Sequence, residues 1–247
     1  MQKRLIALAI LAASASVSSQ ADIVGATAGA YMWKQSWDGD VKAGSQSIDM
    51  NDDLGYDDET GKSFYVALEH PVPVLPNIRL QHTALDISET NTLNRSFTFD
   101  GKGYAATNTV DSTTDLTHTD GTFYYEILDN WVNLDVGLTV RMFDGEVRIK
   151  NQTTGDEGSI EIDAPLPMAY VNARFELPLT GLYASALGNV IAYGDNKVTD
   201  MTLALGYELG ILGLELGYRN FDVQLEDDNE EANVTVDGYF LGVVIDI

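Results

Sequence analysis

The chain has 247 residues, no cysteine, and 38 acidic against 14 basic side chains, a formal charge of −24 at pH 7. The lack of cysteine excludes disulfides, thiolate metal sites and a cysteine nucleophile. The acidity disfavours nucleic-acid binding, which needs Lys and Arg to neutralise phosphates. A hydrophobic share of 45% is too high for a disordered acidic chain, so we expect a folded protein.

The first 21 residues have the three-part layout of a secretory signal. Lys3 and Arg4 supply the positive start, 5–13 is the apolar run, and a small-x-small cleavage site ends at Ala21. The apolar run is far shorter than the roughly 20 residues of a spanning helix, which disfavours an uncleaved anchor. We predict a cleaved signal at 1–21 and one mature domain at 22–247. Loss of Lys3 and Arg4 takes the formal charge from −24 to −26.

Alternation of apolar and polar residues dominates the mature sequence, as expected for β-strands. Every even position in 132–142 is apolar, whereas the odd positions include Asp135 and Arg141. The same one-sided pattern recurs in 200–209 and in 212–219. A face that carries both an acid and a base is costly in a packed soluble core unless every charge is paired. The pattern therefore favours strands with an apolar face and a separate polar face.

The alternation predicts ten strands. In chain order they are 23–37, 62–70, 77–89, 115–129, 132–149, 159–177, 182–194, 197–209, 213–225 and 233–247. The apolar phase slips between Tyr170 and Val171 and again after Arg219. Either β-bulges or the end of a bilayer would produce such slips.

The predicted links between strands fall into two alternating classes. Short links lie at 71–76, 129–131, 178–181 and 210–212, and longer polar links at 38–61, 90–114, 150–158 and 226–232, while a tight turn at 195–196 takes one place in the long class. Alternating links, an even strand count and termini on the short-turn side are typical of outer-membrane barrels. Strands of about ten residues are long enough to span a bilayer at a tilt. An aromatic belt is predicted from Trp33, Trp37, Trp131, Tyr170, Tyr207, Tyr218 and Tyr239.

These features resemble the bacterial outer-membrane β-barrel proteins, in particular a family of small, mostly uncharacterised barrels with an N-terminal signal. The resemblance covers the whole mature chain, including a closing strand at 234–247 in which Gly242, Ile245 and Ile247 take the places of the family's insertion signal. The chain departs from the family in ending on Ile247 rather than an aromatic residue, and in having Phe240 where a polar residue is usual. The resemblance implies an all-β, closed, antiparallel up-and-down transmembrane barrel in the outer membrane of a Gram-negative bacterium. Its expected partners are outer-membrane lipids, lipopolysaccharide and the assembly machinery.

A barrel of ten strands is narrow, so side chains should fill its lumen. The polar phase predicts a network of paired charges there. Its candidates are Asp135, Arg141, Arg174, Glu176, Glu208, Glu215 and Arg219, together with Glu69, Arg79 and Glu126. The alternative is a narrow polar pore or a proton-sensitive gate, and we favour structural pairing.

An enzymatic role has one candidate pair. Outer-membrane proteases on ten-stranded barrels use Asp/His pairs at the extracellular rim, and the resemblance makes His118 with Asp120 the corresponding candidates. Their surroundings match no catalytic pattern, and no G-x-S-x-G motif supports a lipid hydrolase. Catalysis is therefore disfavoured.

Two acidic segments could hold a hard cation such as Ca²⁺ or Mg²⁺. The first offers Asp49, Asn51, Asp53, Asp57, Asp58 and Glu59. It begins like an EF-hand loop, but Leu54 stands at the glycine position and Thr60 at the closing glutamate position. The second segment is 227–231. Solvated loop charge is the favoured interpretation of both.

The sequence therefore predicts a non-enzymatic outer-membrane barrel with acidic extracellular loops and no cofactor, which has a structural or surface role or passes small solutes narrowly. Two alternatives stay open. One is an enzyme of protease or lipid-hydrolase type at the barrel rim. The other is a soluble periplasmic β-barrel or sandwich that binds an apolar ligand.

Overall fold

The computed structural model describes residues 24–43, 46–72, 74–163, 165–227 and 230–247. Within these ranges no helix is long and apolar enough to cross a membrane. The predicted signal at 1–21 lies outside the described residues.

The described residues form seventeen strands. In chain order they are β1 (Gly25–Ala43), β2 (Ser47–Asp49), β3 (Glu59–Glu69), β4 (Asn77–Thr83), β5 (Asp86–Thr92), β6 (Phe97–Phe99), β7 (Lys102–Tyr104), β8 (Thr109–Asp115), β9 (His118–Leu128), β10 (Val132–Phe143), β11 (Gly145–Asn151), β12 (Glu157–Ile162), β13 (Pro165–Leu177), β14 (Leu182–Tyr193), β15 (Asn196–Leu209), β16 (Leu212–Asp227) and β17 (Glu230–Asp246).

Ten of these strands form a closed antiparallel barrel. Around the barrel the order is β1, β3, β4, β9, β10, β13, β14, β15, β16 and β17, and β17 pairs back onto β1 from Thr27↔Asp246 to Ala43↔Glu230. Each predicted strand overlaps one barrel strand, because period-two alternation survives wherever the wall separates two different environments. The predicted all-β, closed, ten-stranded architecture is confirmed.

The short links, the start of β1 at Gly25 and the end of β17 at Asp246 lie at one end of the barrel, which we call the short-turn end. At the opposite end, the walls β4, β9, β10 and β13 continue into a second, four-stranded sheet in the order β12, β11, β8, β5. The strands β6 and β7 form a separate hairpin. We call β2, β5 to β8, β11 and β12, with the links between them and the ends of the barrel strands at this level, such as β16 beyond Arg219, the head.

The prediction of a polar link at 90–114 is wrong, because β6, β7 and most of β8 lie in it, whereas the link at 150–158 is only shorter than predicted, at 152–156. On β8 the buried Val110 alternates with half-buried positions, but Ser112 and Thr114 also point inward. Polar residues on the buried face conceal the alternation from a sequence analysis. The predicted strands at 77–89, 115–129, 132–149 and 159–177 accordingly run across the junction between barrel and head.

The barrel and the head place their apolar residues on opposite faces. On β16, Leu214 and Leu216 point outward and are 54% and 59% exposed, whereas Phe221 and Val223 point inward and are buried. The ladders to the neighbouring strands are continuous through this reversal. The slip after Arg219 is therefore no bulge, and an apolar exterior on a closed barrel is the surface that faces lipid. The reversal marks the end of the bilayer.

The slip at Tyr170 has a different cause. Tyr170 points into the lumen within the lipid-facing band, since the outward Val140 and Met142 of the paired strand β10 lie nearer the head and are still 39% and 51% exposed. The slip therefore comes from an apolar residue on the lumen side and not from the end of the bilayer. On β13, Leu166 and Met168 point inward next to the head, whereas Val171 and Phe175 point outward and are each 45% exposed. The pairing of β10 with β13 runs through this point without a shift in register.

The aromatic belt is partly wrong. Trp33, Trp37 and Tyr170 point inward and are 1%, 2% and 5% exposed, because they lie on the inward phase of their strands. The remaining members are on the outer surface, namely Trp131, Tyr207, Tyr218 and Tyr239.

Two inward tyrosines lie against glycines of neighbouring strands. A Cβ at Gly206 would stand 2.0 Å from Cζ of Tyr183, and a Cβ at Gly29 would stand 2.3 Å from Cε1 of Tyr65. Only glycine leaves room for these rings, so the close approach depends on its missing side chain.

Candidate functional site

Four buried charges meet at mid-lumen, where the polar phases of four strands point to the barrel axis. We call Asp120, Arg141, Asp200 and Arg219 the quartet. Their exposed fractions are 4%, 0%, 2% and 1%. Arg141 donates to both carboxylate oxygens of Asp120, at 2.8 and 2.7 Å. Arg219 does the same to Asp200, at 2.8 and 2.6 Å.

A further bond joins the two pairs. Nη2 of Arg141 donates to Oδ2 of Asp200 at 2.6 Å, which links β9, β10, β15 and β16 across the lumen. Arg219 also donates to Oη of Tyr31 at 2.9 Å and to Oγ1 of Thr83 at 3.2 Å. Two arginines balance two aspartates, so the quartet carries no net charge. Bidentate, charge-assisted bonds of this kind offset the desolvation of buried ions.

His118 lies beside the quartet and is 1% exposed. Its Nδ1 is 2.8 Å from the carbonyl oxygen of Leu116, so that nitrogen carries the hydrogen and donates. The lone pair of Nε2 is left facing Nη2 of Arg219 at 3.5 Å. The ring stacks on Phe221 and meets Phe143 edge-on. These contacts surround the imidazole ring, so His118 is not accessible to solvent.

An apolar core, which we call the plug, fills the barrel mouth and the head. It rests directly on the quartet, since the guanidinium carbon of Arg219 is 4.9 Å from the Trp33 ring and that of Arg141 is 5.3 Å from the Phe221 ring. The plug residues are Trp33, Trp37, Val41, Ile48, Met50, Leu54, Tyr56, Leu85, Ile87, Leu93, Phe97, Phe99, Tyr104, Val110, Leu116, Phe143, Val147, Ile149, Met168, Val198, Phe221, Val223, Val234 and Val236.

The acidic segment 46–58 closes the mouth. Its Ile48, Met50 and Leu54 are completely buried in the plug. Nδ2 of Asn51 donates to the carbonyl oxygens of Trp37 and Tyr56, at 2.9 and 3.0 Å. The segment is therefore fastened across the opening by both apolar packing and hydrogen bonds.

The carboxylates of this segment already have protein partners. Oδ1 of Asp49 accepts from the backbone N–H groups of Asn51 and Asp52, at 2.9 and 2.7 Å. Asp53 forms an ion pair with Arg95. Asp58 pairs with Lys34 at 2.6 Å.

Among the described residues, no group of three or more His, Asp and Glu is arranged to hold a metal ion. Loop-bound Ca²⁺ or Mg²⁺ stays a prediction. The second acidic segment, 227–231, falls largely outside the described side chains.

Below the quartet, toward the short-turn end, lies a polar cavity of about 180 Å³. Its walls carry Tyr31, Tyr65, Tyr124 and Tyr170 around Arg79. The guanidinium carbon of Arg79 stands 3.5 Å from the centroid of the Tyr65 ring. The cavity reaches up to Asp200 and Arg219, which form its roof.

The seven predicted network residues all point into the lumen, in separate groups. Arg141 and Arg219 belong to the quartet. Arg174 donates to Glu176 at 3.0 Å and to Glu208 at 2.5 Å. Glu215 accepts from Tyr183 at 2.8 Å. Asp135 accepts from Asn172 at 2.9 Å.

Sequence reasoning missed Asp200, which bonds both quartet arginines. It lies in the polar phase of a strand, and that phase alone could have nominated it. The sequence did not indicate Tyr31 and Thr83 as partners of Arg219, because β1 and β4 come within reach of this arginine on β16 only in the closed barrel. Of the catalytic candidates, His118 is buried between plug and quartet, and Asp120 is itself a buried member of the quartet, bonded to Arg141.

No protein-family model matches the chain, and no curated protein matches it. Among solved structures, it resembles the outer membrane protease OmpT from Escherichia coli with a TM-score of 0.52 at 8% identity, over 94% of this chain and 99% of that one. It also resembles the CymD monoaromatic hydrocarbon channel (TM-score 0.38, 10% identity, 90% of this chain and 88% of that one) and the beta domain of the Bordetella autotransporter BrkA (TM-score 0.29, 11% identity, 92% and 100%).

The first of these likenesses supports the fold and nothing beyond it. The closed barrel and its own apolar exterior are those of a protein that crosses a membrane as strands. The chain is a β-barrel of the bacterial outer membrane.

Proposed function

We propose that the protein is a non-enzymatic outer-membrane barrel with a structural or surface role, and that its lumen does not conduct solutes. The observation that carries this proposal is the double seal formed by the plug and the quartet. A solute would have to displace both layers in succession.

The two layers resist displacement for different reasons. Opening the plug exposes large apolar side chains such as Trp33 and Phe221 to water, which costs on the order of 2 kcal/mol for each side chain. Opening the quartet separates four desolvated charges whose charged partners lie within the quartet itself. Small-solute passage would need both changes in each opening.

The same seal disfavours a rim enzyme built on His118 and Asp120. A general base must come within hydrogen-bond reach of its substrate, and these side chains are covered by the plug on one side and bonded to arginines on the other. A soluble periplasmic barrel is disfavoured by the exterior, where residues such as Leu203 and Leu205 are 56% and 69% exposed.

The outer face of the head suits exposure to water. Thr90 donates to Asp111 at 2.7 Å, and Ser88 and Thr113 share a hydrogen bond of 3.0 Å on the exposed side of β5 and β8. These contacts support a head displayed at the cell surface.

Planar-bilayer recording of the purified barrel tests the closed lumen. We expect no stable conductance step from the wild-type protein. A matched variant that lacks one layer, Asp200→Ala, should also stay silent because the plug is intact. Reproducible single-channel steps from the wild-type protein would overturn the proposal in favour of solute passage.

Cysteine labelling tests the display of the head, since the chain has no cysteine of its own. Thr153→Cys places one thiol in the head, and Asp129→Cys places one at the short-turn end. A membrane-impermeant maleimide should label only Thr153→Cys on intact cells. Labelling of Asp129→Cys alone would reverse the proposed orientation.

A further inference from the structure

The outward-facing residues at the upper edge of the apolar band differ around the barrel. The relevant residue of a strand is the first outward-facing polar one above its last outward-facing apolar one. On three consecutive strands it is basic, namely Lys34 above Met32 on β1, Lys62 above Phe64 on β3, and His82 above Leu80 on β4. On β15, β16 and β17 the corresponding residues are Thr199, Asn220 and Asp237.

The register places the three basic residues in one diagonal row. Lys34 pairs with Thr60, and Lys62 pairs with Met32, so Lys34 and Lys62 are diagonal neighbours. His82 pairs with Phe64, which makes it the diagonal neighbour of Lys62 on the other side. Diagonal neighbours in a sheet are roughly 7–8 Å apart. One phosphate group with its oxygens can therefore bridge two of them.

Lys34 and His82, the outer members of the row, already have polar contacts, whereas Lys62 in the middle is free to bind a ligand. Lys62 is exposed, and no carboxylate of the described residues lies within 4 Å of its ammonium group. Nδ1 of His82 is 3.1 Å from Oγ1 of Thr119, and among the described residues its Nε2 has no hydrogen-bond partner. Lys34 shares its charge with Asp58 at 2.6 Å.

The row borders lipid directly. Phe64, which lies between Lys62 and His82, is 57% exposed on the outer wall, and its ring centroid is 5.3 Å from that of His82. Leu80 and Met32, one step deeper on the flanking strands, are 52% and 57% exposed. Any group bound by the row therefore sits at the boundary between hydrocarbon and water, where lipid phosphates lie.

The charges around the row favour binding of a phosphate group that belongs to a lipid over binding of a free phosphate ion. The whole chain is strongly acidic, and Glu59, Asp86 and Asp115 lie on the far side of the row from the bilayer. A free anion would be repelled by this field. A phosphate that is anchored by acyl chains is held at the depth of the row, beside Lys62 and His82, which have no carboxylate partner among the described residues.

We propose that Lys34, Lys62 and His82 form a binding site on the outer wall for the phosphate of an outer-leaflet glycolipid such as lipid A. The acyl chains pack on Phe64, Leu80 and Met32, while the phosphate oxygens accept hydrogen bonds from the ammonium groups and the imidazole. This site is independent of whether the lumen conducts.

The test measures binding of bisphosphorylated lipid A to the folded protein in detergent by native mass spectrometry. We expect saturable binding to the wild-type protein and at least about tenfold weaker binding to the double variant Lys62→Ala/His82→Ala, because each basic contact at a membrane surface contributes on the order of 1 kcal/mol. Lys197→Ala is the matched control, since Lys197 is another exposed lysine near the outer edge of the band, on β15. Its affinity should change less than twofold.

Two further probes separate the chemistry. Dephosphorylated lipid A should bind at least about tenfold more weakly than the bisphosphate, and inorganic phosphate should show no saturable binding. Lys62→Arg should retain affinity while Lys62→Gln loses it, which also guards against a double variant that folds poorly. Absence of binding to the wild-type protein, equal binding by the double variant, equal binding of the dephosphorylated lipid, or saturable binding of inorganic phosphate would each overturn the proposal.

Discussion

Strand β16 crosses two regions of the molecule that treat the same alternation in opposite ways. In the barrel its outward residues, such as Leu216, are apolar and its inward residues are Glu215 and Arg219. In the head its inward residues are Phe221 and Val223, and its outward residues are Asp222 and Gln224. The strand itself is regular throughout. The difference teaches that the solvent outside the wall, lipid or water, decides which phase is apolar.

The two interiors consequently differ in how they are held together. The head has a core of packed apolar side chains, as a water-soluble domain does. The barrel interior at the level of the quartet depends on hydrogen-bonded ion pairs, which are stable only when every charge has its partner. Within the quartet, Nη1 of Arg141 is buried and has no hydrogen-bond acceptor among the described residues.

The largest predicted effect comes from breaking the ionic interior. Asp200→Ala removes a carboxylate that bonds both Arg141 and Arg219, and leaves buried positive charge without compensation. We expect a loss of about 3–5 kcal/mol in the free energy of unfolding. Urea unfolding of the barrel in lipid vesicles measures it.

Asp52→Ala is the control for the aspartate change, because Asp52 is exposed in the head segment. Its midpoint should match the wild type. If Asp200→Ala unfolds at the same urea concentration as the wild type, the quartet does not stabilise the barrel. The barrel interior would then not depend on ion pairs, in contradiction to the difference proposed between it and the apolar core of the head.

A second prediction tests where the outer face of β16 passes from lipid to water. Leu216→Lys puts a charge on the lipid-facing wall and should cost about 2–4 kcal/mol. Gln224→Lys makes the same residue on the same face of β16, but in the head, and should change stability by less than about 0.5 kcal/mol. Folding yields into vesicles and urea midpoints compare the two, and equal costs would contradict a boundary between these positions.

The smallest predicted effect concerns the acidic surface of the head. Burial, together with the charges of Asp115 and Glu59, raises the pKa of Asp86. A carboxyl whose pKa is higher in the folded state penalises folding when it is ionised, and the penalty is lost as pH falls and both states become protonated. Asp86→Asn should therefore raise the melting temperature slightly at pH 8 and leave it unchanged at about pH 2.5, well below the ordinary carboxyl pKa of 3.8. The same gain at both pH values would show that charge is not the cause.

Much of the barrel was predictable because its strands have clean faces. The runs at 132–142, 200–209 and 212–219 alternate without exception in the barrel, and their polar phases nominated Arg141, Glu208 and Arg219. The head was not predictable in this way. Its inward positions mix Ile149 and Val110 with Ser112 and Thr114, so its strands look like polar links.

The candidate site was only half visible for a related reason. Asp120 and His118 attracted attention as a rim pair, but the distance between them and open solvent depends on segment 46–58, which folds back over the mouth through Ile48, Met50 and Leu54. No local pattern shows where a link will pack. The same holds for the row of Lys34, Lys62 and His82, which are far apart along the chain and become neighbours through the register of β1, β3 and β4.

By itself the sequence determined the ten alternating strands, and the combination of an apolar and a charged face on the same short strands favoured a closed barrel with lipid outside. Tertiary structure alone decided that the lumen is sealed, that the ionic partners are Asp120, Asp200, Arg141 and Arg219, and that the barrel continues into a head with the opposite polarity. The physical reason is that alternation is a property of one strand. Pairing of charges and closure of a mouth are properties of strands that meet only in the folded protein.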